Sequence, residues 1–280
     1  MDVLDGLIDA GIVILVLYLI FAVLVFWILT NNIFIWRSKD YSLPFENMKK
    51  GWLPEGIRYW ICHNPAQVEE RWALMLHSWG RNSARMVDRS MIYWERGYSL
   101  VFVDAWSHGQ SKYKRTTTAL WFAQHSYKVV EKEGIPPPVV HGLSFGSIAA
   151  TIYAANYPTK AVVAEALMNN VREMMIGFLE YMKIPTSLFG WEITVLLHTN
   201  FPWHLVNPSN NLPLIKTPIF LIHGSEDGMF RKEIHFAKNV KLLKESDRSW
   251  VVEGSPHSKM FQFPGYREKL EDFLDEVESD

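Results

Sequence analysis

With 280 residues, the chain can hold one α/β domain of ordinary size plus an appendage. Hydrophobic residues make up 49% and charged residues 21%, which excludes a disordered chain. A net charge of −2 gives no electrostatic reason for a nucleic-acid partner. The lone cysteine, Cys62, excludes an internal disulfide framework. The 10 histidines form no His-x-x-x-His pair, and no Cys-x-x-Cys accompanies them, so no built-in zinc site is expected.

In chain order, the first element is an uncharged apolar run from Ala10 to Thr30 (AGIVILVLYLIFAVLVFWILT). A helix of about 21 residues spans roughly 30 Å, the thickness of a bilayer's hydrocarbon core. No basic segment precedes the run and no small-x-small cleavage site follows it, which argues for a retained anchor over a removable signal. Trp27 and Trp36 bracket its downstream end, as interfacial aromatics do. Asp2, Asp5 and Asp9 lie upstream, while Arg37, Lys39, Lys49 and Lys50 lie downstream. The positive-inside rule then predicts a cytoplasmic C-terminal part. The expected organisation is an anchor over 1–31, a juxtamembrane linker over 32–54 and a larger folded domain over 55–280.

Beyond the linker, short apolar runs alternate with longer amphipathic ones. The runs Ile57–Cys62, Trp72–Leu76, Leu100–Val103, Val139–His141, Ala161–Ala164, Ile219–Ile222 and Trp250–Val252 read as strands buried on both faces. Between them, Ala84, Val87, Met91 and Trp94 form one apolar helical stripe, and Thr116–Glu133 reads as a helix ended by Gly134 and three prolines. Lys232–Lys244 and Tyr266–Val277 read as charged amphipathic helices. The alternation predicts a mostly parallel sheet covered by helices on both faces. One stretch, about 167–213, contains no strand pattern but carries Met174, Met175, Phe178, Met182, Phe189, Trp191 and Trp203. It reads as a helical cap inserted over the carboxyl ends of the strands, with Met174, Phe178 and Met182 on one helical face.

The chemistry centres on Gly142-Leu143-Ser144-Phe145-Gly146, a G-x-S-x-G sequence between an apolar strand and a small-residue helix. A serine held at a sharp strand-to-helix turn needs neighbours without bulk, which the two glycines supply. Serine is a weak nucleophile at neutral pH, so it needs a base, and the base needs an orienting carboxylate. Asp227 follows the strand in IFLIHGSEDGMF, and His257 follows the last strand in WVVEGSPHSKMF. Glu226 is the rival acid, but the register of the motif favours Asp227. Each candidate sits just past a strand's carboxyl end, where such sheets gather their ligand sites. The amides of Trp79, in LMLHSWGRN, and of Phe145 are the expected oxyanion donors.

Taken together, HSWGRN, VDAWSHGQS, GLSFGS, HGSEDGMF and PHSKMF resemble the α/β-hydrolase superfamily. They are most similar to its esterase, monoacylglycerol-lipase and serine-aminopeptidase-like branch, over about residues 55–278. The resemblance implies structural roles for Asp104 and His108, and it departs from the usual pattern where His77-Ser78 replaces His-Gly. It also implies a serine hydrolase with Ser144, Asp227 and His257 as its triad and no metal or organic cofactor. The expected substrates are carboxylic esters with apolar or lipid-derived acyl groups, met by Trp106, Met175 and Phe178. A small-molecule ester and the lipid bilayer are thus the expected partners. An aminopeptidase or amidase of the same fold, and a non-catalytic membrane-tethered member, are the alternatives. A serine at the turn excludes the dehalogenase and epoxide-hydrolase chemistries, which need an aspartate there.

Overall fold

The computed structural model describes residues 3–33, 41–46, 48–67, 70–114, 117–181, 183, 186 and 203–279, with side chains in the first segment given for 8–24. The chain divides into two compact units, Met1–Trp36 and Arg37–Asp280.

The first unit is a single helix, α1 (Val3–Ile33). Most of its described side chains are apolar and exposed, among them Ile12, Val13, Ile14, Leu17, Ile20, Phe21 and Val23. Among the described residues no helix is long and apolar enough to cross a membrane. The transmembrane anchor expected over 10–30 is therefore not carried by the described residues, and the side chains of Trp27 and Trp36 lie outside them.

The second unit is built on an eight-stranded sheet: β1 (Lys49–Trp52), β2 (Arg58–Cys62), β3 (Trp72–Leu76), β4 (Ser99–Val103), β5 (Val139–Leu143), β6 (Ala161–Glu165), β7 (Ile219–Gly224) and β8 (Arg248–Val252). The spatial order is β1-β2-β4-β3-β5-β6-β7-β8. β1 and β2 pair antiparallel at one edge, and every pair from β4 to β8 is parallel. The central strands β3 to β7 are buried at every position, as strands covered on both faces must be.

The helices that cover the sheet are α2 (Val87–Glu95), α3 (Ala119–Lys132), α4 (Phe145–Asn156), α8 (Phe236–Val240) and α9 (Tyr266–Ser279). Thr118 caps α3 by accepting from the Trp121 N–H at 3.2 Å. One core layer joins α3 and α4 to one face of the sheet, through Leu74, Leu76, Phe122, Val140, Ile148 and Leu221. The other joins α2 and α9 to the opposite face, through Met75, Phe102, Val163, Tyr93, Leu270 and Phe273.

Three expectations need correction. The linker expected over 32–54 contains the edge strand β1 and the buried Leu43, Phe45 and Leu53, so the second unit begins upstream of residue 55. The deep face of α2 carries Arg89, Ser90, Ile92 and Tyr93, whereas the expected stripe of Ala84, Val87, Met91 and Trp94 is only half-buried. The helix expected over Lys232–Lys244 shortens to α8, where polar side chains bond the segment after β6. His235 Nδ1 accepts from the Asn169 N–H at 3.1 Å, and Asn239 donates to the carbonyls of Leu167 and Met168.

Between β6 and β7 the described residues form α5 (Val171–Tyr181), α6 (Trp203–Val206) and α7 (Pro208–Asn211), and contain no strand. This is the region expected to hold a cap, though Met182, Phe189 and Trp191 lie outside the described residues. Helix α5 leans on the segment after β7. A Cβ on Gly177 would stand 3.1 Å from the Met229 carbonyl, and Arg231 pairs with Glu180 at 3.0 Å.

Candidate active site

Ser144 stands between the end of β5 and the first residue of α4, with φ 55° and ψ −110°. A non-glycine residue with positive φ is strained and persists only where the surroundings hold it. Two constraints hold this one. The Ser144 N–H donates to the Glu165 carbonyl of β6 at 2.8 Å, and the Ser144 carbonyl accepts from the Ser147 hydroxyl at 2.5 Å. The turn also needs space that a side chain would fill. A Cβ on Gly142 would lie 2.2 Å from the Gly146 carbonyl oxygen, and one on Gly146 would lie 2.1 Å from the Leu76 carbonyl oxygen. Chain crossings this close are what place the serine hydroxyl at the top of the sheet.

The structure brings the three expected side chains together. His257 Nε2 lies 2.9 Å from Ser144 Oγ, and His257 Nδ1 lies 2.6 Å from Asp227 Oδ2. Asp227 is buried, and its other oxygen accepts the N–H groups of Met229 at 3.0 Å and Phe230 at 2.8 Å. Those two bonds fix the carboxylate and leave Oδ2 to face the imidazole. Burial pushes the Asp227 pKa up, but the bond and charge of His257 and the Phe230 amide outweigh it, so the carboxyl titrates below its usual range. Glu226 is exposed and offers its backbone N–H to the Ser255 carbonyl, so the acid facing the histidine is Asp227. Phe230 stands edge-on to the His257 ring at 4.8 Å, restricting the imidazole to this plane.

The two residues expected to supply the oxyanion donors, Trp79 and Phe145, pack against each other. As first residue of α4, Phe145 has an N–H that the helix itself cannot satisfy. The Trp79 and Phe145 rings meet edge-to-face at 4.7 Å, which sets the β3 loop directly on the start of α4. His77 orients that loop. Its Nε2 accepts from the Ala105 N–H at 3.1 Å, so its proton sits on Nδ1 and is donated to the Ser78 carbonyl at 2.9 Å. With the Ser78 carbonyl turned to His77, a trans peptide turns the Trp79 N–H the opposite way.

Asp104 and His108 shape the neighbouring loop. Fully buried, Asp104 accepts from the Ser83 N–H and hydroxyl, the Gln110 N–H and the Tyr41 hydroxyl. Tyr41 belongs to the stretch expected to be linker. His108 donates from Nδ1 to the Trp106 carbonyl at 2.8 Å and stacks on Phe145 at 5.8 Å.

The pocket residues are more dispersed. Met175 and Phe178 lie on α5 and are half-buried, and Met175 packs against the core. Trp106 donates its indole N–H to the Glu55 carbonyl at 3.1 Å and packs against Trp121 and His125. No described contact joins it to Ser144 or His257.

Sequence reasoning missed a buried ionic cluster beneath the site. Glu165, fully buried, takes a bidentate pair from Arg89, with Nε and Nη2 each at 2.6 Å. It also takes His141 Nε2 at 2.8 Å and the Tyr266 hydroxyl at 2.5 Å. Burial opposes its charge, yet Arg89 and these donors hold it well below the ordinary carboxylate range. Residues 76 positions apart leave no spacing signal. The only available hint was an arginine among apolar helix residues.

Burial depresses several histidines: His77, His125 and His235 to about 4, and His108, beside His77, to about 3. They are neutral when folded and titrate near 6.5 when unfolded. Between pH 6.5 and about 4 the unfolded chain therefore binds more protons, and stability rises with pH. Each such group contributes up to about 1.4 kcal/mol per pH unit in that window. The melting temperature is predicted to be level above about pH 7 and to fall steadily below 6.5. Calorimetry showing no change down to pH 5 would contradict the neutral, buried state of these rings.

No protein-family profile matches the chain, and no curated protein matches it in sequence. Solved structures do match. An esterase from Pyrococcus furiosus superposes with a TM-score of 0.66 at 19% identity, over 87% of this chain and 98% of its own. A proline iminopeptidase from Mycobacterium smegmatis superposes with 0.62 at 15% identity, over 82% and 98%. A membrane phospholipase A, described as a bacterial virulence factor, superposes with 0.61 at 16% identity, over 99% and 97%. The eight-stranded, mostly parallel sheet, its covering helices and these superpositions give the chain the fold of the α/β-hydrolases.

Proposed function

We propose that the chain is a serine hydrolase that cleaves carboxylic esters through an acyl-enzyme. The observation that carries this reading is the single imidazole hydrogen-bonded to both Ser144 Oγ and Asp227 Oδ2. Ser144 Oγ attacks the ester carbonyl carbon while His257 Nε2 takes its proton. Asp227 holds the proton on Nδ1 and stabilises the imidazolium. The Trp79 and Phe145 N–H groups meet the oxyanion as the carbonyl π bond opens. Collapse breaks the bond to the leaving oxygen, which takes the proton from Nε2. Water then gives a proton to Nε2 and attacks the acyl carbon, and the acid departs as Ser144 recovers its hydrogen.

For the acyl group we propose an apolar chain, met by Met175 and Phe178 on α5 and by Trp106. An anchor formed by the uncharged run 10–30 would keep the enzyme beside lipid-derived esters, with its catalytic part on the cytoplasmic side. Exposed apolar side chains along α1 support this reading, as does the alignment of nearly the whole chain with a membrane phospholipase.

Activated esters of short, medium and long acyl chains, compared with an aminoacyl anilide, test the class. Medium-chain esters are expected to give the highest kcat/KM, at least about 100-fold above the anilide, as ~2.7 kcal/mol of transition-state preference requires. A preference for the anilide would replace the esterase reading with an aminopeptidase.

A further inference from the structure

We propose that Arg89, assisted by Arg85, is a positioning residue that locks the His257 loop in register with the Ser144 turn through the buried Glu165 pair. This rests on the catalytic reading above.

The loop between β8 and α9 carries His257 and is gripped on both sides of it. Before the histidine, the Ser255 carbonyl accepts from the Glu226 N–H at 3.0 Å, and the Gly254 N–H donates to Ser225 Oγ at 2.8 Å. These bonds tie that half to the strand end bearing Asp227. After the histidine, Arg89 Nη2 donates to the Ser258 carbonyl at 3.3 Å. Arg85 Nη2 adds bonds to the same carbonyl at 3.2 Å and to Ser258 Oγ at 3.0 Å. The Arg89 guanidinium also lies over the Phe261 ring at 4.5 Å, further along the same segment.

The other end of the link reaches the nucleophile. Glu165 binds Arg89 with its carboxylate and holds the Ser144 N–H with its own carbonyl. One residue thus receives the serine's backbone and anchors the arginine that holds the neighbour of His257. A fully buried ion pair is a poor device for stability, since apolar residues of similar volume often serve equally well or better. Its geometric content is what an apolar replacement lacks: a guanidinium can hold both carboxylate oxygens and a third acceptor in one plane. Lysine, with a single nitrogen, cannot span the same acceptors.

The test compares the full-length parent with Arg89→Lys and with Arg85→Ala, whose target is half-buried. Steady-state kinetics on an activated ester, the melting temperature and the downfield proton resonance of the His257–Asp227 bond are measured for each. Misplacing a catalytic group by about 1 Å can cost up to roughly 100-fold. Arg89→Lys is expected to lower kcat by about 10- to 100-fold and Arg85→Ala by a few-fold, with KM within about twofold of the parent. The imidazole proton resonance should broaden or shift in both while the proteins stay folded. Folded variants with parental kcat and an unchanged resonance would overturn the proposal, as would losses that disappear on cooling below the melting transition. If Arg89→Lys does not fold, Arg85→Ala decides alone by the same two readouts. A parent inactive on every ester would overturn the catalytic reading, and the resonance would still report whether the arginines position His257.

Discussion

Replacing Ser144 with alanine is expected to lower kcat on an activated ester by about 10⁴- to 10⁶-fold, with little change in KM. Among the described residues the hydroxyl is the group hydrogen-bonded to His257 Nε2 that can carry the acyl intermediate, and its loss leaves the imidazole without a proton to take. What survives is the contribution of substrate binding and of the backbone donors, worth about 10³-fold over water in such sites. Stability should hardly change. The strained backbone at φ 55° is maintained by the Glu165 and Ser147 hydrogen bonds, and neither uses the Ser144 hydroxyl. Circular dichroism and the melting temperature check that half of the expectation. A variant that is inactive because it is unfolded would not support the assignment.

The second large effect is on folding. Gly146→Ala places a methyl group 2.1 Å from the Leu76 carbonyl oxygen and 2.8 Å from that of His77. Both obstacles are backbone, one at the last residue of β3, a strand buried at every position, and the other at the residue that follows it. Neither can rotate aside, so α4 must back away from the sheet. Overpacking usually costs about 1–3 kcal/mol. A clash between backbones in a close-packed interior should exceed this and reach ~4 kcal/mol or more. For a unit of this size that lowers the melting temperature by roughly 10 °C. Gly134→Ala is the comparison. Nothing lies within 4 Å of its Cβ position, and only its positive φ of 63° is penalised, at about 1–2 kcal/mol. Similar melting temperatures for the two variants would contradict the tight crossing of α4 over β3. Any folded Gly146→Ala protein should also lose turnover, because the same movement shifts the loop bearing Trp79.

These two residues were legible in the sequence because their demands are local. A serine between glycines, after an apolar run and before small residues, has few other uses. Asp227 and His257 were legible for a related reason: each follows a buried strand closely, and strand ends can be read from short apolar runs. The edge strand was not legible. Lys-Lys-Gly-Trp is exposed along most of its length, so it lacks the alternation or continuity that marks a half-buried or buried strand. Its Gly51 pairs opposite Tyr59, whose ring occupies the space a side chain there would need. The face of α2 misled for the opposite reason. Apolar periodicity points to Val87, Met91 and Trp94, yet the deepest positions hold Arg89 and Ser90. A polar group can occupy the interior when its partners are already there, and those partners arrive from Glu165 and Ser258, far away in the chain. Pattern reading assigns such a residue to solvent, and only the assembled fold corrects it.

The central claim is that the Ser144 hydroxyl is a nucleophile activated by His257. Mass spectrometry of the intact, folded protein after exposure to a fluorophosphonate reads it directly. One phosphonyl group per chain is expected, located on Ser144, formed slowly or not at all once His257 is changed to alanine. No adduct, or an adduct on another serine at the same rate, would contradict it.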